Sequence, residues 1–283
     1  MKKILLVSDL DGTLITSGID YGRAIHLWVS AFMERLAVQI PNYAGYDRVV
    51  ALWALAFMEE FVHQCPHYDE VTKFFLDTLK RNEKERYPVV GVHRGRFSGS
   101  MVLAYRELCE HFHLEFSGEF ARRTFEIGLS FCDEETYRKR TMIPGAEEML
   151  SFLRKPDLEA ALYCVTAGDM RVQWAKWRGY NLKRFFPTIS EFRVVKWEKE
   201  ETLRRLRKLY PYRDAYMVGD SIGSSQNHSG DLWPAYRAGF TPIYVAHPSV
   251  WDNGDHVDEL PPGTISLDKI QEIPAAIYQL PLL

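Results

Sequence analysis

Cysteine is scarce in this chain, with four among 283 residues (Cys65, Cys109, Cys132 and Cys164). None sits at a paired metal-ligand spacing of the kind a zinc module uses. Cys164 lies in an apolar strand pattern, where a buried free thiol is the default, and free thiols favour a reducing compartment. An excess of charge is also missing. A net charge of −3 gives no electrostatic reason to expect nucleic acid as a partner. No apolar run approaches the roughly 18 residues of a spanning helix, so no membrane partner is expected. The apolar run after Met1-Lys2-Lys3 is only Ile4-Leu5-Leu6-Val7, too short for a signal-peptide core, and the expected location is cytoplasmic. Internal repeats and low-complexity tracts are absent, and the nine histidines show no ligand spacing. What remains is an ordinary globular balance, 46 % hydrophobic and 26 % charged, in a chain long enough for two domains and an ample core.

One segment stands out from this background. Asp9-Leu10-Asp11-Gly12-Thr13 follows the apolar run directly, and two carboxylates two residues apart in extended backbone point the same way. Gly12 permits a sharp turn that brings backbone close to a ligand. One carboxylate can attack a phosphoryl group while its partner protonates the leaving oxygen and then activates water. A plain Asp-Gly turn after a buried strand is the other reading of the pentapeptide alone.

Three further segments decide between them. Ala161-Leu162-Tyr163-Cys164-Val165 reads as a buried strand delivering Thr166. Ala215-Tyr216-Met217-Val218 reads as another, delivering Gly219-Asp220-Ser221. Between them, Val194-Val195-Lys196-Trp197-Glu198-Lys199 offers two lysines. Asp, Thr, Lys and Gly-Asp, in this order and each at or near a strand end, resemble the haloacid dehalogenase-like hydrolase superfamily over residues 1–16 and about 141–250. Pro144-Gly145-Ala146, Phe185-Phe186-Pro187 and Ala235-Tyr236-Arg237-Ala238-Gly239 resemble its connecting segments.

The resemblance implies an α/β fold, a Rossmann-like parallel sheet (1–16 and 141–283) with its site at the carboxyl ends of the strands. The insert at 17–140 implies an all-helical cap. Its apolar residues recur at helical spacing from Asp20 (Ile25, Trp28, Val29, Phe32, Leu36), over Tyr46–Gln64, over Asp69–Arg81, from Ser98 to His113 and over Glu119–Phe131. Pro88-Val89-Val90-Gly91 is expected to break the pattern. In the core, a helix over Arg171–Arg178 is expected to close at Gly179, and Pro242–Ala246 is expected to be the last strand.

The resemblance also implies roles: Asp9 as nucleophile, Asp11 as general acid and then base, and Thr166 with Lys196 or Lys199 holding phosphate oxygens. Lys196 fits the distance to Gly-Asp, whereas Lys199 fits the start of a helix; both stay open. Gly12, Thr13, Ala167 and Gly168 become substrate-binding candidates beside them. Mg²⁺ is expected on Asp9, the backbone carbonyl of Asp11, Asp220 and a further acidic residue. That residue normally follows Asp220 by four or five positions. Here the match is Asp231, after the long polar segment 221–230, or else Ser224, Ser225 or Asn227 replaces it. Asp rather than Tyr at position 11 favours phosphate esters over carbon–halogen bonds, since an alkoxide leaving group needs a proton and a halide does not. In the insert, Arg94-Gly95-Arg96 could clasp an anionic substrate from a loop, or could be a solvated basic turn. The expected activity is hydrolysis of a small phosphorylated metabolite. The rivals are a phosphomutase and a catalytically idle binding or regulatory protein.

Overall fold

A computed structural model describes residues 3–16, 27–32, 35, 68–90, 93–211, 213–225, 230–245 and 259–279. The chain divides into two compact units, Met1–Gly18 with Glu134–Leu283, and Ile19–Asp133. Among the described residues no helix is long and apolar enough to cross a membrane.

The first unit is built on a six-stranded, all-parallel sheet. Its strands are β1 (Ile4–Ser8), β2 (Ala160–Ala167), β3 (Phe192–Val195), β4 (Asp214–Gly219), β5 (Thr241–Val245) and β6 (Ile265–Leu267), in the order β3-β2-β1-β4-β5-β6. This is a Rossmann-like α/β architecture. Every residue of β1 is buried, as expected of a parallel strand covered on both faces, which therefore reads as an unbroken apolar run. Side chains alternate between the two layers. Ile4, Leu6, Leu162, Cys164, Tyr216 and Val218 pack into one, and Leu5, Val7, Tyr163, Val165, Ala215 and Met217 into the other. Helices α5 (Ala146–Leu153), α6 (Met170–Gly179) and α9 (Ile273–Tyr278) supply the first layer. Helices α7 (Lys199–Leu209) and α8 (Leu232–Arg237) supply the second.

Two expectations for this unit are corrected. Gly179 is the last residue inside α6, and the left-handed position is Asn181 (φ 52°); a short polar side chain tolerates that conformation. The strand Thr241–Val245 is not the last. Ile265-Ser266-Leu267 adds β6 at the edge, too short for alternation to reveal it, and Ile270, Ile273 and Ile277 are buried beyond it. A short helix α4 (Glu134–Arg138) belongs to this unit as well, its Tyr137 ring stacked on Tyr180 at 6.1 Å.

In the second unit the described helices lie at 27–32 and in α1 (Tyr68–Val90), α2 (Arg94–His111) and α3 (Gly118–Ser130). Trp28 is fully buried at its centre, stacked on Phe75 at 3.5 Å between ring centroids and on Phe32 at 5.0 Å. Its indole N–H donates to Thr124 Oγ1 at 2.8 Å, so the ring is buried without an orphaned donor. The expected helix over Tyr46–Gln64 and the residue Cys65 lie outside the described residues. Pro88 does not end α1, which continues to Val90. Helix α2 begins at Arg94 instead of Ser98, because His93 caps it by accepting from the Gly95 N–H at 3.0 Å.

Candidate active site

Strand register assembles the site. Ser8, the last residue of β1, is level with Cys164 of β2 and Val218 of β4. Asp9, Thr166 and Asp220 therefore emerge together at the carboxyl ends of three adjacent strands, and the Asp9 N–H continues the ladder to the Val218 carbonyl at 2.9 Å. In open α/β sheets this end of the sheet is where ligands bind. Gly12 (φ +78°) makes the turn, and a Cβ there would collide with the Asp220 carboxylate. The close approach is thus between two parts of the chain itself. Thr13 is buried and donates its hydroxyl to Asp220 Oδ1 at 3.1 Å, so it positions a carboxylate instead of facing a ligand.

Lys199, 5 % exposed, is the first residue of α7. The helix dipole disfavours a cation there, whereas Glu200 and Glu201 in the same turn suit it. Two carboxylates compensate: Lys199 Nζ donates to Asp9 Oδ1 at 2.6 Å and to Asp231 Oδ1 at 2.5 Å. Lys196 is exposed just beyond β3. Of the two lysines, Lys199 is the one that lies against Asp9 and Asp231. Lys196→Ala should leave any turnover unchanged. Lys199→Met should lower it by about 10²-fold or more, as expected when a charge-stabilising donor is lost. Initial rates of the two variants side by side check this.

Asp9, Asp220 and Asp231 each bring a carboxylate oxygen within 4.8 Å of the others. Three carboxylates face one ammonium, so the cluster is short of positive charge. Burial first, and then Asp231, push Asp9 well above the usual carboxylate range; the Lys199 charge opposes this without cancelling it. Asp220 is pushed up to about 7, by burial and next by Asp231. Burial alone would lower the Lys199 ammonium, but Asp231 and Asp9 hold it well above the usual lysine range. Hard oxygen donors with an uncompensated negative charge fit a small divalent cation such as Mg²⁺, which would be held by Asp9, Asp220 and Asp231. When bound, it supplies positive charge against the repulsion between a carboxylate nucleophile and an anionic substrate.

Asp231 reaches this cluster despite the long segment before it. The N–H groups of Asp231 and Leu232 return to the Ser221 carbonyl at 2.9 and 3.2 Å, and that of Trp233 to Ile222 at 3.2 Å. Gly223 and Gly230 lie against each other. Gly219 leaves the space for Asp231, whose Cβ would lie 2.5 Å from a Cβ at 219. Ser224 and Ser225 instead offer their carbonyls to Arg237 Nη1 at 3.2 and 3.3 Å. Asn227 lies outside the described residues.

Asp11 departs from the expectation of a shared face with Asp9. Strand geometry ends at Ser8, so the alternation rule no longer governs position 11. Leu10 turns into the layer of α5, α6 and α9, and Asp11 meets α6. Lys176 Nζ donates to Asp11 Oδ1 at 2.6 Å and to Oδ2 at 2.8 Å, and Gln173 Nε2 donates to Oδ2 at 3.0 Å. Asp9 is thus paired in the α7–α8 layer and Asp11 in the opposite one. Neither Gln173 nor Lys176 is found by the motif reading. The available signal was their i, i+3 spacing on a helix starting four residues after Thr166, capped by Asp169, which accepts from the Arg171 and Val172 N–H groups.

Thr166 is buried at the end of β2. The other candidates nearby are engaged: the Ala167 carbonyl accepts from Gln173 Nε2 at 3.0 Å, and the Gly168 N–H donates to Val195 at 2.9 Å. In the second unit Arg94-Gly95-Arg96 is the first turn of α2, not a loop, and Arg96 pairs with Glu83 at 3.1 Å.

The fold has counterparts among solved structures. A haloacid dehalogenase-like family hydrolase from Xanthomonas campestris aligns over 98 % of this chain and 91 % of its own, with a TM-score of 0.58 at 19 % identity. The fold is that of the haloacid dehalogenase-like hydrolases. A predicted phosphoglycolate phosphatase from Haemophilus somnus 129PT carries the same haloacid dehalogenase-like fold, with a TM-score of 0.51 at 14 % identity over 98 % of this chain and 99 % of its own. An L-2-haloacid dehalogenase from Xanthobacter autotrophicus overlays more loosely, with a TM-score of 0.45 at 13 % identity over 99 % of this chain and 100 % of its own. No family model matches the sequence, and no curated protein matches it either.

Proposed function

We propose that this chain is a Mg²⁺-dependent phosphohydrolase acting on a small phosphorylated metabolite through an aspartyl-phosphate intermediate. The observation that carries the reading is the division of labour between two carboxylates. Asp9 sits in a cluster short of positive charge, with one oxygen held by Lys199. Asp11 sits apart, on its own cationic partner. A phosphate ester uses both: Asp9 attacks phosphorus, and the bond to the leaving oxygen breaks as Asp11 gives that oxygen a proton. Water then attacks the same phosphorus, its proton passes to Asp11, and Asp9 leaves as carboxylate with release of inorganic phosphate. Lys199 and Thr166 would hold the non-reacting oxygens, where charge develops. A carbon–halogen substrate has no use for a proton donor at position 11.

The helical unit Ile19–Asp133 is assigned the choice of substrate, because the motif residues that carry the transfer all lie in the other unit. The buried free thiols Cys109, Cys132 and Cys164 suit a cytosolic enzyme.

The test is a screen of phosphorylated metabolites and 2-haloacids, with Mg²⁺ and with excess chelator, reading phosphate and halide release. Phosphate release from at least one small monoester, lost on chelation without unfolding, is the expected result. Halide release without phosphate release overturns the reading.

A further inference from the structure

Lys176 is a lysine in the interior that the expected chemistry does not call for. It lies within α6, 5 % exposed, with its ammonium 5.8 Å from the centroid of the Tyr137 ring. Taking an ammonium out of water is costly, and such a pair is often no better for folding than apolar residues of the same volume. Its position therefore calls for another explanation, and its contacts supply one. Both oxygens of Asp11 are occupied, Oδ1 by Lys176 and Oδ2 by Lys176 and Gln173. Gln173 Nε2 also donates to the Ala167 carbonyl at 3.0 Å, which ties the Asp11 carboxylate to the end of the strand that carries Thr166. Asp11 itself lies past the end of β1, in a turn where no strand ladder fixes its side chain.

We propose that Lys176 and Gln173 are the positioning residues of Asp11, holding its carboxylate in one rotamer by the end of β2 so that it can exchange a proton with the leaving oxygen and then with water. The assignment rests on the phosphohydrolase reading. It differs from a packing role in what it predicts for different leaving groups, because only steps that use Asp11 should suffer.

The experiment compares wild type, Lys176→Met, Lys176→Arg and Gln173→Leu on an alkyl phosphate monoester and on p-nitrophenyl phosphate, both with Mg²⁺. Gln173→Leu removes a neutral partner and no charge, so it remains informative if Lys176→Met fails to fold. On the alkyl ester, kcat of the Met and Leu variants should fall about 10- to 100-fold with KM unchanged, as for a misplaced catalytic group. On p-nitrophenyl phosphate, whose leaving group needs no proton, the same variants should release one equivalent of nitrophenol per site rapidly. Turnover should then be slow, because hydrolysis of the intermediate still needs Asp11. Lys176→Arg should recover part of the loss. Wild-type rates in the folded variants, or equal losses in the rapid and slow phases with melting temperature unchanged, overturn the assignment. Failure of the underlying reading shows separately, in the wild type, as no phosphate released from either ester.

Discussion

Asp9→Asn should yield a folded protein whose phosphate release is lower by about 10⁴-fold or more, the scale seen when a covalent nucleophile is removed. The amide keeps the shape and can still accept from Lys199 Nζ, which lies 2.6 Å from Oδ1 in the native chain. It lacks the charge that attacks phosphorus. The substitution should not cost stability, and in metal-free protein it should help. Asp9 is held well above the usual carboxylate range by burial and by Asp231, so its ionisation opposes folding near neutral pH. Loss of turnover with an unchanged or higher melting temperature is the expected pair of results, and no phosphorylated protein should be trapped. Wild-type turnover on several esters would remove Asp9 from the role of nucleophile.

Asp220→Asn should abolish the response of the protein to Mg²⁺ and reverse part of its pH dependence. Asp220 is pushed up from the ordinary aspartate range to about 7, by burial first and Asp231 next. A folded-state pKa above the unfolded one gives stability that is complete below about pH 4 and lost as pH rises through about 7. In excess chelator, wild type should therefore weaken against Asp220→Asn across that window, by a few kcal/mol at most. The two should converge near pH 4. Mg²⁺ at 100 times its Kd should stabilise wild type by about 2.7 kcal/mol, tighten its binding as pH rises through 7 with release of protons, and leave the variant unchanged. Denaturant melts at pH 4, 6 and 8, with chelator and with Mg²⁺, check all three. Equal Mg²⁺ stabilisation of both proteins would remove Asp220 from the metal site.

The parts of this molecule legible from sequence are those where local pattern and global position agree. Ile4-Leu5-Leu6-Val7 and Ala215-Tyr216-Met217-Val218 are unbroken apolar runs because the sheet is covered on both faces, and each ends in the acidic residue that marks the site. Two features stayed hidden for physical reasons. The distance from Asp220 to Asp231 along the chain says nothing about distance in space, because the hydrogen bonds of Ser221 return the segment to its origin. Lys176 and Gln173 carry no motif signal of their own, since a lysine on a helix is a solvated charge unless something buries it, and the carboxylate that Lys176 meets is in a turn 165 residues earlier. Lys196 and Lys199 could not be separated for the same reason: burial decides between them.

The closure at Ser221 has a consequence for how this chain can change. With Asp231 N–H on the Ser221 carbonyl and Gly223 against Gly230, the two ends of the segment are held together and close a ring at that neck, so its length does not set the reach of Asp231. Lengthening a ring of this kind costs only about 0.6 kcal/mol per doubling in closure entropy. The Asp231 carboxylate is thereby uncoupled from the size of the segment beside it. That segment can gain or lose residues, and acquire contacts of its own, while the chemistry at its neck stays in place.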